Sequence, residues 1–337
     1  MCFTPPMDRR PLGGTGLSVT PLGLGLAALG RPAYINLGHD SDLGSDRSVE
    51  AVERHAHEVL DAAFAVGIRY VDVARSYGRA EAFLASWLDR RSIAPGEVTV
   101  GSKWGYRYVG GWRVDAPVHE VKDHSVEALR RQFRESRALL DGHLALYQIH
   151  SATLDAGVLD DRDVLEELAS LREGGIAIGL TTSGPNQAAT LRRAMEVEVG
   201  SGNPFACVQA AWNLLEPSVG PALAEAHDAG WGVIVKEGLA NGRLTARERD
   251  PEILSRRRAL ERLAREREVG IDAIALAAVL VQPWSDVMLS GAASVEQLRE
   301  NVRAAEVRIG LEELAALGET AMDPVDYWTR RSTLAWT

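Results

Sequence analysis

Short apolar runs recur along the chain, and each is followed by a longer stretch whose apolar positions lie three and four residues apart. The runs fall at 22–26, 69–73, 98–102, 144–149, 176–180, 206–210, 232–236 and 286–289. The longer stretches fall at 49–66, 79–89, 122–140, 161–173, 186–198, 218–229, 271–281 and 294–304. In the first of these, Val52, Ala56, Val59, Leu60, Ala63 and Phe64 keep helical spacing, and Gly67 closes the helix. Strict alternation of strand and helix argues for a parallel sheet covered by helices. Eight such units in roughly 300 residues predict a closed (β/α)8 barrel, a TIM barrel.

Several segments fall outside the repeat. A small hairpin is expected at Gly13-Gly14-Thr15-Gly16, between Leu12 and Leu17. An additional helix is expected at 253–268, and an extra segment at 311–322. Residues 1–8 read as a loose tail, 31–47 as a long loop rich in Gly, Asp and Ser, and 323–337 as a C-terminal tail holding Tyr327, Trp328 and Trp336. No Pro/Gly/Ser-rich linker divides the chain, so residues 1–337 are expected to form a single domain.

Composition narrows the function classes. The 337 residues are 46% hydrophobic, enough for a large core. Net charge is −10 with no long block of like charge, which argues against nucleic acid as a partner. Cys2 and Cys207 form neither a disulfide framework nor a zinc cluster, as suits a reducing compartment. The N-terminus lacks a long apolar h-region, and the longest nearly apolar stretch, 273–281, is too short to span a bilayer. A cytoplasmic protein without a membrane partner is expected. His119, Lys122, Asp123 and His124 cluster in sequence, but their spacing offers no open three-ligand metal set.

Candidate chemistry sits at the C-terminal ends of the expected strands, the face on which such barrels react. Asp72 follows Arg69-Tyr70-Val71, Tyr77 lies five residues later, Lys103 ends the run 98–102, and His150 ends 144–149. A phenol, an ammonium, a carboxylate and an imidazole meeting there would make a proton-transfer site. A phenol has an ordinary pKa near 10, and a neighbouring ammonium favours its ionised form. A carboxylate keeps that ammonium charged in a cleft, and a neutral imidazole can orient the substrate oxygen. Tyr77 is therefore expected as general acid, Lys103 as the group that tunes it, Asp72 as the partner of Lys103, and His150 as the orienter.

These motifs resemble the aldo-keto reductase family. The resemblance rests on Gly67-Ile68-Arg69-Tyr70-Val71-Asp72-Val73-Ala74-Arg75-Ser76-Tyr77-Gly78 with Glu81, on Ser102-Lys103, on Tyr147-Gln148-Ile149-His150, and on the stretch Gly291-Ala292-Ala293-Ser294-Val295-Glu296-Gln297-Leu298-Arg299-Glu300-Asn301. It covers about Leu12 to Ala305. It implies a nicotinamide cofactor across the barrel mouth, NADP in preference, with NAD not excluded. Within that resemblance Gln209 stands where the carboxamide is held, and Thr181-Thr182 stand where the family usually shows Ser-Asn. Gly291, Ala293, Gln297, Glu300 and Asn301 match the adenosine-phosphate segment, at a helix start whose N–H groups favour phosphate. Ser294 with Gln297 also has capping-box spacing.

One departure stands out. Lys236 occupies the place where the family commonly carries a Tyr stacked on the nicotinamide. An ammonium there would repel the oxidised, cationic ring. Its open partners are Glu237, the cofactor pyrophosphate or an acidic group of the substrate. For the substrate pocket, Trp104, Tyr106 and Trp112 follow Lys103 on an expected loop, and Trp212 follows Gln209. The resulting expectation is an oxidoreductase acting between NAD(P)H and a carbonyl or alcohol of a small polar metabolite such as a sugar. Two other readings stay open: a cofactor-binding regulatory barrel with little turnover, and a barrel lyase or epimerase that uses Tyr77 and Lys236 without net redox change.

Overall fold

The computed structural model describes residues 7–200 and 202–337. Most of the expected loose tail, residues 1–6, lies outside the described residues. Eight parallel strands close into a barrel: Leu22–Gly25, Tyr70–Asp72, Thr99–Trp104, Leu144–Ala152, Ala177–Thr182, Cys207–Ala211, Gly232–Lys236 and Val287–Ser290. The last pairs with the first, Met288 opposite Leu22 and Ser290 opposite Leu24, so the sheet has no free edge. The chain thus adopts the (β/α)8 fold with helices outside.

Alternation along each strand divides the core in two. Inward positions at the bottom of the barrel, among them Tyr70, Leu146, Cys207, Ile234, Val287 and Leu289, form an inner cluster. Their neighbours, such as Val71, Tyr147, Ile149, Val233 and Val235, face the helices and join the large outer cluster. The N-terminal hairpin, Arg10–Pro11 paired with Ser18–Val19, closes the bottom, and its Leu12 packs into the inner cluster. Gly13 (φ +46°) is required there, because a Cβ would stand 2.2 Å from the backbone N of Gly232.

Differences from the expected elements lie above the barrel mouth. The 31–47 loop contains a short helix, His39–Leu43. Residues 104–113 are not a simple loop, because Tyr106–Tyr108 pairs antiparallel with Glu120–Lys122. The helix expected from 122 therefore starts at Val126, where the Ser125 side chain caps it. The additional helix at 253–268 is two, Pro251–Arg256 and Arg258–Arg267. The C-terminal tail contains the helix Pro324–Ser332, with Asp323 capping and Pro324 at its first position. Polar spacing hid that helix, because its packing face is chiefly Tyr327 and Trp328.

Candidate active site

A cavity of about 580 Å³ opens at the C-terminal ends of the barrel strands. Inward side chains build its floor. Asp72 is two residues beyond the inward Tyr70 and is buried, 2% exposed. Its carboxylate accepts from the Gln209 amide at 2.8 Å and is ion-paired to the Lys103 ammonium. Lys103 also donates to the Val73 carbonyl at 3.0 Å and lies 4.8 Å from the centre of the Tyr77 ring. The ammonium, 1% exposed, lies behind that ring and outside the cavity wall, whereas Asp72, Tyr77 and His150 line the wall.

His150 ends the inward row Leu146, Gln148, His150. The next residue, Ser151, has a positive φ of 52°, and the ladder to the following strand shifts register between Ile149 and Ala152. This irregularity turns the imidazole across the barrel mouth. Its Nδ1 lies 3.3 Å from the Ser76 hydroxyl, and its ring meets Tyr77 edge-on at 5.5 Å and Tyr106 at 5.0 Å.

The electrostatics assign protonation states. Burial, then Asp72, push the Tyr77 phenol well above its ordinary value, against the opposing pull of Arg31. The expected downward shift is thus absent, and the phenol keeps its proton at rest. Burial, then Lys103, Lys236 and Arg31, push the His150 imidazole well below its ordinary value, so it is neutral.

The cofactor residues divide. Gln209, Lys236, Gly291, Gln297 and Asn301 line the cavity. Ala293 and Glu300 do not: the Ala293 N–H donates to Gln297 Oε1 at 2.8 Å, and Glu300 pairs outward with Arg303. Gln297 N–H donates to the Ser294 hydroxyl at 3.3 Å, so the capping spacing is used, although the return bond comes from Ala293. Thr181 and Thr182 are fully buried off the cavity; Thr181 Oγ1 accepts from the Ser151 N–H at 2.7 Å, and Thr182 faces Gln187. Ser183 reaches the wall instead.

Of the expected substrate residues, only Tyr106 lines the cavity. Trp104 is one step beyond Lys103 on the same strand, so alternation turns it outward into the core, edge-on to His124 at 5.7 Å. Trp112 donates to the Arg47 carbonyl at 2.7 Å and packs on Phe83, and Trp212 packs on Trp284.

Residues that the strand pattern did not single out complete the roof. Arg31 is 2% exposed, pairs with Glu120 at 2.9 Å, and holds its guanidinium 5.2 Å from the Tyr77 ring centre. Trp336 stacks on His119 at 4.1 Å and covers Arg31 at 4.6 Å. Tyr34 and Thr337 exchange both backbone hydrogen bonds at 3.1 Å, tying the C-terminal segment to the first loop. Arg331, from the C-terminal helix, reaches Glu237 with a 2.8 Å bond and a second contact. Burial opposes the charge on Glu237, yet Arg331 overrides it and holds the carboxyl down at about 2. These residues lie in loops and tail, where periodicity carries no signal.

The cavity runs from Tyr77 and His150 to the start of the helix Val295–Val302. Gly291 lies on that path, and the space where its Cβ would stand is open. A path that runs from polar groups to a helix start, open at Gly291, suits a ligand that carries phosphate. Among the described residues no group of three or more His, Cys, Asp or Glu side chains could hold a metal ion, and no helix is long and apolar enough to cross a membrane.

Comparison with known proteins bears on the family and the fold. The model of the Aldo/keto reductase family matches residues 21–321. The uncharacterized oxidoreductase YqkF of Bacillus subtilis is 25% identical, the match covering 92% of this chain and 95% of that protein. The aldo-keto reductase str7 of Strobilurus tenacellus is 23% identical, over 94% and 92%. Among solved structures, an aldo-keto reductase from Pseudomonas aeruginosa superposes with a TM-score of 0.62 at 26% identity, covering 88% of this chain and 94% of that one. The holo form of AKR11C1 from Bacillus halodurans shares the fold, with a TM-score of 0.69 at 23% identity over 95% and 98%. With the barrel, the buried Asp72–Lys103 pair under Tyr77 and a family match over nearly the whole length, the chain belongs to the aldo/keto reductase family of NAD(P)-dependent oxidoreductases.

Proposed function

We propose that the site reduces the carbonyl of a small polar metabolite, a sugar among them, or oxidises the corresponding alcohol, with Tyr77 as the proton donor. The observation that carries this reading is the convergence of Tyr77 and His150 on one cavity with the Lys103 ammonium 4.8 Å behind the phenol ring. A nicotinamide cofactor held along Gln209 and Gly291 would supply the hydride. Tyr77 gives its proton to the carbonyl oxygen, and Lys103 stabilises the phenolate left behind. Asp72 pairs with the Lys103 ammonium and holds it in place. If Ser76 donates to His150 Nδ1, Nε2 carries the proton and can donate to the substrate oxygen, which fixes its direction.

Removing the phenol oxygen tests the assignment. Tyr77→Phe should lower kcat by about 10²–10⁴ while the cofactor dissociation constant stays within twofold. Turnover near that of the unaltered protein would reject Tyr77 as the acid.

For the cofactor, the family favours NADP. The residues between Gly291 and Leu298 include no cation, Arg247 is engaged by Asp42, and Asp272 lines the cavity, all of which weigh toward NAD. We retain NADP as the proposal. Tryptophan-fluorescence titration should give a dissociation constant at least tenfold lower for NADPH than for NADH, and the reverse order overturns the preference. A cytoplasmic setting belongs to the same proposal, in keeping with the free, buried Cys207.

Lys236 keeps one other reading in view, a lyase or epimerase in which its amine takes part without net redox change. That amine has no ion-pair or hydrogen-bond partner among the described residues. A progress curve decides between the two: the reductase consumes one cofactor per product, the isomerising enzyme none.

A further inference from the structure

The cavity is bordered by several cations, and all but one are neutralised locally. Arg31 pairs with Glu120 at 2.9 Å, Arg331 with Glu237, and Arg247 with Asp42 through a 2.7 Å bond. Behind the wall Lys103 is paired with Asp72. Lys236 lines the cavity, yet its ammonium makes no hydrogen bond or ion pair with any described residue; its backbone carbonyl accepts from the Trp212 N–H. Glu237, its neighbour in sequence, is turned away by a positive φ of 57° and taken by Arg331.

Strand alternation fixes where this ammonium stands. Ile234 points into the barrel, so Lys236 points inward at the next level up, opposite Ala211. That level belongs to the proton-transfer end of the cavity. The Lys236 charge acts on the His150 imidazole, and the Lys103 charge acts on Lys236. The helix start and Gly291 form the other end. An uncompensated charge in a confined cavity is costly, and an anion brought beside it is bound correspondingly tightly.

We propose that Lys236 receives an anionic group of the substrate, a carboxylate, so that the carbonyl compounds turned over best are oxo-acids or sugar acids rather than their neutral counterparts. The proposal rests on the reductase reading above and narrows its substrate class. A carboxylate beside Lys236 also offsets the repulsion between that ammonium and the oxidised nicotinamide. The diphosphate of the cofactor is the competing anion, and the test separates the two. Burial lowers Lys236 to about 8, against the opposing pull of Glu237 and Asp72 and with Arg331 and Lys103 adding to it. Because only the ammonium attracts the anion, affinity for a carboxylate should be full below pH 8 and fall as pH rises through it.

The experiment uses the full chain with its cofactor. Steady-state kinetics are measured for 4-carboxybenzaldehyde and its methyl ester, and for oxo-acids of three to six carbons and their esters. Benzoate binding to the holoenzyme is measured in parallel by calorimetry, which needs no turnover. We expect kcat/KM to favour the acid over its ester by at least tenfold. Lys236→Met should lower that ratio, and the affinity for benzoate, by about 30-fold or more, while Lys236→Arg retains both preferences. Benzoate affinity of the unaltered protein should fall between pH 7 and 9. A ratio unchanged within twofold in Lys236→Met overturns the proposal. So does a loss confined to the cofactor dissociation constant, which would assign Lys236 to the diphosphate. If no aldehyde is reduced at all, the reductase reading fails, and benzoate binding still decides whether Lys236 holds a carboxylate.

Discussion

At the scale of single residues, the floor of the site holds two opposite charges buried as partners. The Asp72 carboxylate accepts from Gln209 and pairs with Lys103, and both side chains are almost fully buried. Breaking such a pair leaves one charge stranded, at a cost of about 3–5 kcal/mol. Asp72→Asn should therefore lose stability on that order in urea unfolding and also lose turnover, because the Lys103 side chain would no longer be held in place behind the phenol. Stability within about 1 kcal/mol of the unaltered protein would show that the pair is not structural. Asp72, Tyr77, Lys103 and His150 were legible because each stands at or just beyond a strand end. Trp104 was misleading for the same reason of proximity: it adjoins Lys103 in sequence, but one step along a strand reverses the face. Arg31 and Arg331 gave no signal, since the first lies in a loop and the second on a helix whose apolar face is little more than Tyr327 and Trp328.

At the scale of elements, the loop carrying Tyr77 is set by contact with the first loop above the barrel. The Arg79 N–H donates to the Gly30 carbonyl at 2.7 Å, and a Cβ on Gly30 would stand 2.2 Å from the Tyr77 carbonyl oxygen. Gly78, at φ +61°, makes the reciprocal approach to Gly30. This contact brings Arg31 over the Tyr77 ring. Gly30→Ala must push the two loops apart, at about 1–3 kcal/mol. Its kcat should fall by at least tenfold while cofactor affinity changes little, because the displaced element holds Tyr77, the proposed acid, and not the far end of the cavity. Equal losses in both would place the strain elsewhere. The barrel strands were predicted to within a few residues, since alternation and apolar runs are local properties. The hairpin of Tyr106–Tyr108 with Glu120–Lys122 was not, because its strands are short and half exposed and its pairing spans eleven intervening residues.

At the scale of the whole molecule, buried neutral imidazoles link the fold to pH. Burial lowers His39 to about 4 and His124 to about 4, from an unfolded value near 6.5. A group depressed in the folded state contributes stability that is full above its unfolded pKa and is lost as pH falls through the folded value. Stability should therefore hold above pH 6.5 and decline toward pH 4, by on the order of a few kcal/mol in all. The Glu237–Arg331 contact, with its carboxyl held at about 2, should give way only below that window. Urea midpoints at pH 7.5, 5.5 and 4.5 check this, and a midpoint unchanged to pH 4.5 would contradict it. The sequence by itself determined the eight-unit barrel and the residues at its strand ends, because hydrophobic periodicity is written locally and repeats. The tertiary structure alone decided that Lys103 stands behind the phenol and not in the cavity, that the C-terminal segment roofs the mouth through Tyr34 and Thr337, and that Lys236 is the cavity cation left unpaired among the described residues. Those outcomes depend on which distant groups meet, and charge pairing between loops leaves no periodic trace in the chain.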